Sequence, residues 1–516
     1  MEVGQVAAAR ALGRHAAQAV PALLASGLAL ATLWLISRLA MSAPFPPLAL
    51  AERLVRITPG DVATLSIEQL GKAGLHLLAA GVTAVLLVAG ALIARLVSRL
   101  GITVTMVAYA IVLAGAGLSG PNRPGAVVVL WSVALAVGAY GLVLGLTSAP
   151  AGWRAVRPGE DAAAEQITRR RALVVTGGAV ATILAAGATL GPIVGRARER
   201  ARRFVLRAPD EPARTPVRRS LPAVEGRPPE VTTAAEHYVV DIDLANPSLD
   251  AGSWELEVAG EVDRPLRLDI DALQREFTLV EQASVLTCVS NEVGGPLIGS
   301  SAWTGVRLAD VLRRAGVRRG ANELAFKCAD GYTSALSLDD ARDPGVLLAI
   351  GQNGRPLTRD HGYPCRLRVP SLYGMKNPKW LKQIELRRSH LTAYWVKRGW
   401  SDRAVVRTAS RIDVASDARV GRPTWIAGVA WAGDRKISAV EVSLDGGETW
   451  RRARLQAPLS PLAWTQWAYR FTPRRTGVQT VECRAIDGKG ETQDPRSRPP
   501  HPSGASGYHA VRLKVT

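Results

Sequence analysis

Cysteine and aromatic residues are scarce in this sequence. Its 516 residues include four Cys and five Phe, and aromatic residues make up 5% of the chain. Four cysteines are too few to hold a chain of this length together, which excludes a disulfide-stapled fold. A hydrophobic fraction of 47% excludes a fully disordered chain.

Acidic residues are also in deficit. The sequence has 44 Asp and Glu against 64 Lys and Arg, a formal net charge of +20, yet its mean hydropathy is positive at +0.09. The two values are compatible only if charged and apolar residues are segregated along the chain. Residues 1–194 carry 14 basic and 7 acidic residues, 195–235 carry 10 and 5, and 236–516 carry 40 and 32. The densest basic run lies beside a hydrophobic segment instead of along one face of a folded domain, which argues against nucleic-acid binding.

Several familiar catalytic motifs are absent as well. The sequence contains no Walker loop, no His-Glu-x-x-His, no Cys-x-x-Cys and no nucleophile-elbow serine. The enzyme classes that depend on these motifs therefore receive no support from the sequence.

Five stretches in the first 194 residues lack Asp, Glu, Lys and Arg and are about as long as the 20 residues that cross a bilayer core. A buried core helix is the alternative for any single stretch, but five in succession favour membrane spans. The sequence thus predicts a membrane region with five transmembrane helices over residues 1–194. The predicted spans are residues 16–36, 73–94, 101–119, 125–148 and 172–194.

The basic residues between the spans favour a cytoplasmic N-terminus and a C-terminal half on the extracytoplasmic side of the cell membrane. Nine Arg fall on the predicted inside segments and five Lys or Arg on the outside segments. The run from Arg169 to Arg171 resembles a twin-arginine export signal, although an ordinary positive-inside cluster explains it equally well. Residues 195–235 are rich in Arg and Pro and are predicted to form a linker.

The rest of the chain is predicted to contain two domains. Residues 236–402 mix alternating strand patterns with short helical patterns, which indicates an α+β domain. Residues 403–516 contain strand patterns alone, separated by Asp-Gly turns, and are typical of an immunoglobulin-like β-sandwich.

Two segments carry candidate chemistry. Cys288 ends a strand pattern and is followed by a polar, glycine-containing turn, so its thiol would face a cleft as a soft metal ligand. A buried, inert cysteine or a disulfide among Cys288, Cys328, Cys365 and Cys483 are the alternatives. The second segment, residues 361–380, combines His, Arg and two Lys with turns, as a phosphorylated ligand would require; a solvated basic loop is its alternative.

Taken together and in this order, these segments resemble the molybdopterin-binding domain of the sulfite oxidase family, and the last domain resembles the dimerisation domain of the same family. The resemblance covers about residues 236–516. It rests on five stretches: Leu286–Gly295, Trp303–Leu308, Asn353–Leu357, His361–Arg366 and Tyr373–Leu381.

The resemblance implies a fold class, a cofactor and a set of site residues. The fold class is a multi-pass α-helical membrane region, then an α+β sulfite-oxidase-type molybdopterin domain, then an immunoglobulin-like sandwich. The cofactor is molybdopterin with molybdenum, and Cys288 would be the catalytic residue and metal ligand. The implied cofactor-binding residues are His361, Arg366, Asn377 and Lys379, with Lys376 nearby and with Cys328 and Asp330 lining the pterin pocket.

Departures from the family pattern affect the expected substrate. Glu292 and Val293 follow the candidate ligand where sulfite oxidases carry sulfite-binding arginines, residues 238–241 offer no Arg, and Trp400 falls about where that family has a Tyr. These differences favour a small S- or N-oxide over sulfite.

The sequence thus predicts a membrane-anchored, outward-facing molybdopterin oxidoreductase that transfers an oxygen atom in a two-electron reaction. The membrane half contains only His15 and His76, on opposite predicted faces, so no haem is predicted and a separate electron-transfer partner is expected. A homodimer is implied by the last domain. The rival hypothesis is a cofactor-free, surface-anchored binding or assembly protein.

Overall fold

The computed structural model describes residues 2–39, 45–58, 60–97, 102–118, 126–147, a few positions between 180 and 188, 204–213, 221–243 and 246–516. The chain divides into two compact units. The first is Met1–Ala201 with Asp243–Ala245, and the second is Arg202–Ile242 with Asn246–Thr516.

The first unit is helical. Runs of Ala, Leu and Val form its long helices, and Pro at the first turn begins the short second one. Its described helices are α1 (Glu2–Leu39), α2 (Pro46–Ile57), α3 (Gly60–Val97), α4 (Ile102–Leu118) and α5 (Ala126–Thr147).

Tyrosine hydroxyls join three of these helices. Tyr109 on α4 donates to the carbonyl of Leu86 at 3.2 Å, and Tyr140 on α5 donates to the carbonyl of Gly90 at 2.8 Å. Both rings are fully buried, and a Cβ added to Gly90 would lie 2.7 Å from the ring of Tyr109. The absence of a side chain at this glycine therefore allows α4 to approach α3.

The first two predicted spans fall within α1 and α3, and the third and fourth overlap α4 and α5. Two segments, Ala22–Leu39 and His76–Ala94, are long and apolar enough to cross a membrane, whereas Thr103–Leu118 and Val128–Leu144 are shorter apolar helices. One or two such helices also fit a signal sequence or a buried core helix, so they support membrane association only weakly and do not support a multi-pass region. The fifth predicted span, residues 172–194, lies almost wholly outside the described residues.

The second unit begins with an α+β domain, as predicted. Its strands are β1 (Leu256–Gly260), β2 (Leu266–Leu268), β3 (Leu279–Thr287), β4 (Ile298–Arg307), β5 (Glu323–Cys328), β6 (Thr333–Ser337), β7 (Leu347–Gln352), β8 (Arg355–Pro356), β9 (Arg366–Arg368) and β10 (Leu381–Arg387). Its helices are α6 (Ile270–Glu276), α7 (Leu308–Ala315) and α8 (Leu338–Ala341).

These strands form two sheets around a common core. One sheet has the order β2-β1-β10-β5-β6, with only β1 and β10 parallel; the other has the order β3-β4-β7-β8, with β9 also paired to β7. The fully buried Trp303, Phe326 and Leu348 belong to this core. Because β3 pairs with β4 along its full length, the position of the residue after Thr287 is fixed at the end of this strand pair.

The chain ends in two four-stranded antiparallel sheets, which fit the predicted immunoglobulin-like sandwich. Their orders are β11-β12-β16-β15 and β14-β13-β17-β18, and buried residues such as Ile426, Trp467, Val440 and Val481 form one core between them. The strands are β11 (Ala409–Ala415), β12 (Thr424–Trp431), β13 (Ile437–Ser443), β14 (Arg451–Arg452), β15 (Arg454–Leu455), β16 (Thr465–Phe471), β17 (Gly477–Asp487) and β18 (His509–Val515).

The predicted linker is extended but is packed where the structure describes it. The backbone N–H of Leu221 donates to Gln456 at 2.8 Å, and Leu221 packs against Ala427 and Ala468. The side chain of Gln466 donates to the carbonyl of Pro228. Residues 221–231 therefore form a strap on the sandwich.

A separate apolar cluster joins the α+β domain to the sandwich. It contains Val289, Tyr373 and Met375 from the first domain and Trp431 and Trp464 from the second. The two domains are thus packed together next to the segment that follows β3.

Candidate active site

Cys288 lies directly after β3 and is buried, with 8% of its surface exposed. Its backbone N–H donates to the carbonyl of Leu297 at 3.0 Å, and its Sγ lies 3.0 Å from the hydroxyl oxygen of Ser290. Burial raises the pKa of the Cys288 thiol. In the absence of a cation the sulfur is therefore held as a thiol, and a metal ion bound there would reverse that preference.

Three tyrosines interact electrostatically with Cys288: Tyr238, Tyr332 and Tyr373. The hydroxyl of Tyr332 donates to the carbonyl of Met375 at 2.6 Å. A Cβ added to Gly374 would lie 2.8 Å from the hydroxyl of Tyr238 and 3.7 Å from the Cα of Cys288. Gly374 thus lies in van der Waals range of Cys288, and a side chain at this position would collide with the hydroxyl of Tyr238.

A cluster of buried cations lies on the other side of Tyr238, which interacts electrostatically with both Arg366 and Arg368. The Nη atoms of Arg366 donate to the carbonyls of His361 at 3.1 Å and Asn377 at 3.0 Å. Its Nε is buried and has no hydrogen-bond partner. This arginine therefore retains a donor for a ligand.

Arg368 is fully buried two residues further along β9. It donates to the side chain of Asn377, to the hydroxyl of Ser284 at 3.1 Å and to the carbonyl of Val285 at 2.8 Å. Both guanidinium groups lie over Trp303, at 5.3 Å for Arg366 and 4.8 Å for Arg368. The Trp303 indole thus makes cation–π contacts with both guanidinium groups.

Lys379 and His361 complete the cluster. The Lys379 ammonium pairs with Asp241 and donates to the carbonyl of Asp360 at 2.8 Å, and His361 Nε2 lies 2.7 Å from the carbonyl of Ala234. Gly362 has φ +101°, and a Cβ added there would lie 2.9 Å from the Cβ of Lys379 and 3.1 Å from the Cβ of Arg366. A glycine is thus required where these side chains converge.

Burial and mutual repulsion disfavour the charged forms in this cluster. Burial lowers the pKa of Arg366 to about 10 and the pKa of Arg368 to about 9. Burial also lowers the pKa of Lys379, where Arg366 adds a repulsive contribution, and lowers the pKa of His361 to about 4. Two carboxylates, Asp241 and Asp330, interact with Lys379, and Asp241 also interacts with Arg366, so the three cations outnumber the carboxylates. The site fits an anionic ligand, because an anion would offset this excess of positive charge.

The other predicted residues have distinct surroundings. Cys328 is the last residue of β5, and Asp330 lies in the turn that follows. Arg366 interacts with Cys328, and the Asp330 carboxylate accepts from the N–H of Tyr332 at 2.9 Å. Lys376 instead donates to Asp402 at 2.7 Å and to the carbonyl of Ala335 at 2.9 Å.

The Asn377 side chain is used within the protein. It accepts from Arg368 and from the N–H of Val369, and it donates to the carbonyls of Leu372 and Tyr373. This side chain therefore positions Arg368 and the turn that contains Leu372 and Tyr373.

The structure brings together His361, Arg366, Asn377, Lys379, Cys328 and Asp330, and Tyr238 connects this group to Cys288. Sequence reasoning missed Arg368 and His237 as members of the site. Arg368 had a signal, because an Arg in a buried strand is rare unless it is paired. His237 lies 5.3 Å from His361 between ring centroids, and no pattern in its neighbourhood predicted this. All four cysteines are free.

Acid is expected to destabilise the cofactor-free protein through His361 between about pH 6.5 and 4. The unfolded chain protonates this residue near pH 6.5, whereas the folded chain holds its pKa at about 4. In that interval the unfolded state binds more protons, so stability falls as the pH falls. The melting temperature of His361→Gln should therefore fall less between pH 7 and 4.5 than that of the wild type. The exposed His390→Gln is the matched control, and an unchanged pH slope in His361→Gln would contradict the assignment.

Comparison with known proteins places these residues in a family. The oxidoreductase molybdopterin-binding domain matches residues 243–395, and the Mo-co oxidoreductase dimerisation domain matches residues 401–499. The NAD(P)H nitrate reductase of Hordeum vulgare is 30% identical over 331 residues, which are 52% of this chain and 37% of that protein. The mitochondrial sulfite oxidase of Macaca fascicularis is 30% identical over 340 residues, 54% of this chain and 62% of that protein.

Among solved structures, the sulfane dehydrogenase SoxCD of Paracoccus pantotrophus aligns with 23% identity and a TM-score of 0.48, covering 53% of this chain and 78% of that one. The chain spans between about a third and just under two thirds of the length of the curated relatives it matches.

A molybdopterin-binding domain followed by its dimerisation domain defines a class of molybdenum oxidoreductases. The two matches and the similarity to sulfite oxidase and nitrate reductase support a molybdenum oxidoreductase of the sulfite oxidase family, with molybdenum bound to molybdopterin as its cofactor.

Proposed function

We propose that this protein is a membrane-anchored, outward-facing enzyme that catalyses two-electron oxygen-atom transfer on a small, neutral S- or N-oxide. The observation that carries the proposal is the juxtaposition of a buried thiol at the end of β3 with a buried cationic cluster. Tyr238 interacts with both. A thiol suits a soft metal, and the cations suit the phosphate of a pterin cofactor.

The proposed roles follow from the contacts. Cys288 binds molybdenum, which supplies the two-electron redox chemistry when the cofactor is bound. Arg366, Lys379 and His361 hold the pterin phosphate, with the partnerless Nε of Arg366 as one donor. The backbone carbonyl of Asn377 accepts from that arginine and orients it, and Arg368 binds the side chain of Asn377.

Cys328 and Asp330 are proposed to line the pterin pocket, because both interact with the cationic cluster. Lys376 is proposed to act indirectly. Its bond to Asp402 holds the turn next to Gly374, which lies beside Cys288.

The surroundings of Cys288 favour a neutral substrate. Its neighbours are the hydroxyl-bearing side chains of Ser290, Tyr238, Tyr332 and Tyr373. Glu292 in the same turn is exposed and acidic, which disfavours the approach of a dianion.

In a screen with a reduced dye as electron donor, kcat/KM for neutral S- or N-oxides should exceed that for sulfite with an oxidised dye by at least tenfold. The reason is that each missing charged hydrogen bond to the anion costs about 1.5–3 kcal/mol. Comparable or higher kcat/KM for sulfite would refute the substrate assignment. Molybdenum analysis of the same preparation distinguishes the two possible failures. Protein that contains molybdenum but prefers sulfite refutes only the substrate assignment, whereas protein without molybdenum refutes the enzyme proposal.

We further propose that the apolar helices in residues 1–194 anchor the chain in a membrane and that the enzyme domains face outward. The apolar helices support an anchor, and the positive-inside bias supports the orientation. A reporter active only outside the cytoplasm, fused after residue 235, should be active, whereas a cytoplasm-specific reporter at the same position should not. The reverse pattern would refute export.

Electrons would come from a separate redox partner. The dimerisation domain supports a homodimer, which the molar mass of the purified protein tests.

A further inference from the structure

Within residues 236–516, the net positive charge is confined to the sandwich. Residues 236–402 contain 21 Lys and Arg against 22 Asp and Glu, whereas residues 403–516 contain 19 against 10. The cofactor site lies in residues 236–402. It therefore does not account for the excess of basic residues in the sandwich.

Many of the sandwich cations lie at one end of the sheets. The loop between β11 and β12 meets the β16–β17 turn there, through a bond from the N–H of Gly421 to the carbonyl of Pro473 at 3.0 Å. The same loop is bound to the end of β18, through the N–H of Ala418 and the carbonyl of Lys514 at 2.9 Å. The cations at this end, here called the basic end, are Arg419, Arg422, Arg470, Arg474, Arg475, Arg512 and Lys514.

The basic end is available for binding. All seven side chains are exposed, and none of them makes an ion pair with another residue that the structure describes. Asp417 is the single acidic side chain in the two loops, residues 416–423 and 472–476. Unpaired like charges repel one another, so this arrangement is electrostatically unfavourable without an anionic partner.

Apolar side chains lie among these cations. Val420 and Val478 are 42% and 56% exposed, and the half-buried Trp425 lies under the guanidinium of Arg470, 5.8 Å from its centre. Exposed valines next to unpaired arginines match the boundary between lipid headgroups and acyl chains, which attracts cations and accepts small apolar groups.

The position and charge of the basic end argue against two other partners, an electron-transfer protein and a second copy of the chain. β12 begins there and ends at Trp431, which packs with Val289, next to Cys288. Eight extended residues put about 23 Å between the two ends of the strand, so an electron-transfer partner bound at the basic end would be poorly placed. A second copy of the chain would bring like charges together in a symmetric contact.

We propose that the basic end binds the anionic headgroups of a lipid bilayer surface, so that the sandwich docks on the membrane with the cofactor site at its far end. This proposal rests on the proposed membrane anchoring. The test distinguishes anchoring from docking. Incorporation of the chain into lipid nanodiscs measures anchoring, and a fluorescent probe on the sandwich measures docking.

The test uses the full chain in lipid nanodiscs of phosphatidylcholine alone or with about 30% phosphatidylglycerol as the anionic lipid. An environment-sensitive fluorophore is attached to Thr476→Cys in the β16–β17 turn, and as a positional control to Lys489→Cys at the opposite end of the sandwich; the native cysteines are buried. In anionic discs the label at residue 476 should be shielded from an aqueous quencher, and about 1 M salt should abolish the shielding. The label at residue 489 should stay accessible in both lipids.

The triple variant Arg422→Gln/Arg474→Gln/Arg475→Gln should lower the docked-to-undocked ratio at least tenfold. The matched variant Lys436→Gln/Lys489→Gln/Arg498→Gln removes the same charge from the opposite end and should leave docking unchanged. Equal quenching in neutral and anionic discs, or equal loss in both variants, would overturn the proposal. Shielding by poly-glutamate but not by anionic discs would overturn it in favour of an acidic polypeptide.

Discussion

Replacing Cys288 by serine is expected to lower kcat by about a thousandfold, equivalent to ~4 kcal/mol of transition-state stabilisation. The serine hydroxyl is a harder and far weaker ligand for molybdenum than a thiolate. The fold should persist, because the substitution is nearly isosteric and the 3.0 Å contact with Ser290 accommodates a hydroxyl. The pterin should also remain bound, because the cationic cluster is unchanged. Molybdenum and pterin content, measured with the sulfur-to-metal absorption band, check this outcome.

Cys483→Ser is the matched control. Cys483 is fully buried in the sandwich core, and its thiol pKa is raised by burial to about 12. The same chemical change there should reduce stability but leave the absorption band and kcat intact. Wild-type activity in Cys288→Ser would falsify the ligand assignment, and wild-type protein without molybdenum from a cofactor-competent host would remove the enzyme proposal itself.

The residues of the candidate site differ in how far the sequence could predict them. Cys288, His361 and Arg366 lie in short, ordered motifs, so their grouping was predictable once the family resemblance was recognised. Lys376 lies in the same motifs, yet its ammonium pairs with Asp402, 26 residues away. Such a pairing depends on how distant segments pack.

The same distinction holds for the fold. Strands alone were predicted for residues 403–516, and β18 shows the alternation of exposed and buried residues that a half-buried strand produces. The strap at residues 221–231 was predicted only as an extended linker. Its position depends on Gln456 and Gln466, more than 200 residues away, and local composition carries no information about such contacts.

Arg366→Gln is expected to weaken cofactor binding by at least about a hundredfold, because a charged hydrogen bond contributes about 1.5–3 kcal/mol and the variant also loses the charge that faces the phosphate. The glutamine amide cannot bridge the carbonyls of His361 and Asn377 as the two Nη atoms do. In the cofactor-free variant the pKa of His361 should rise, because Arg366 is one of the groups that lower it. Pterin content after gel filtration measures the first effect, and imidazole titration by NMR measures the second.

Two further variants separate charge from geometry. Arg366→Lys keeps the charge but not the planar fork, so it should retain more pterin than Arg366→Gln and less than the wild type. Arg388→Gln removes an exposed arginine that is paired with Glu261 and should leave both readouts unchanged. Full pterin content in Arg366→Gln would contradict the phosphate-binding role. A loss of pterin without a change in the His361 titration would indicate that the arginine binds the cofactor but does not influence the pKa of His361. A combined loss of pterin and rise of the His361 pKa is the result expected if the same positive charge binds the anion and keeps its neighbour neutral.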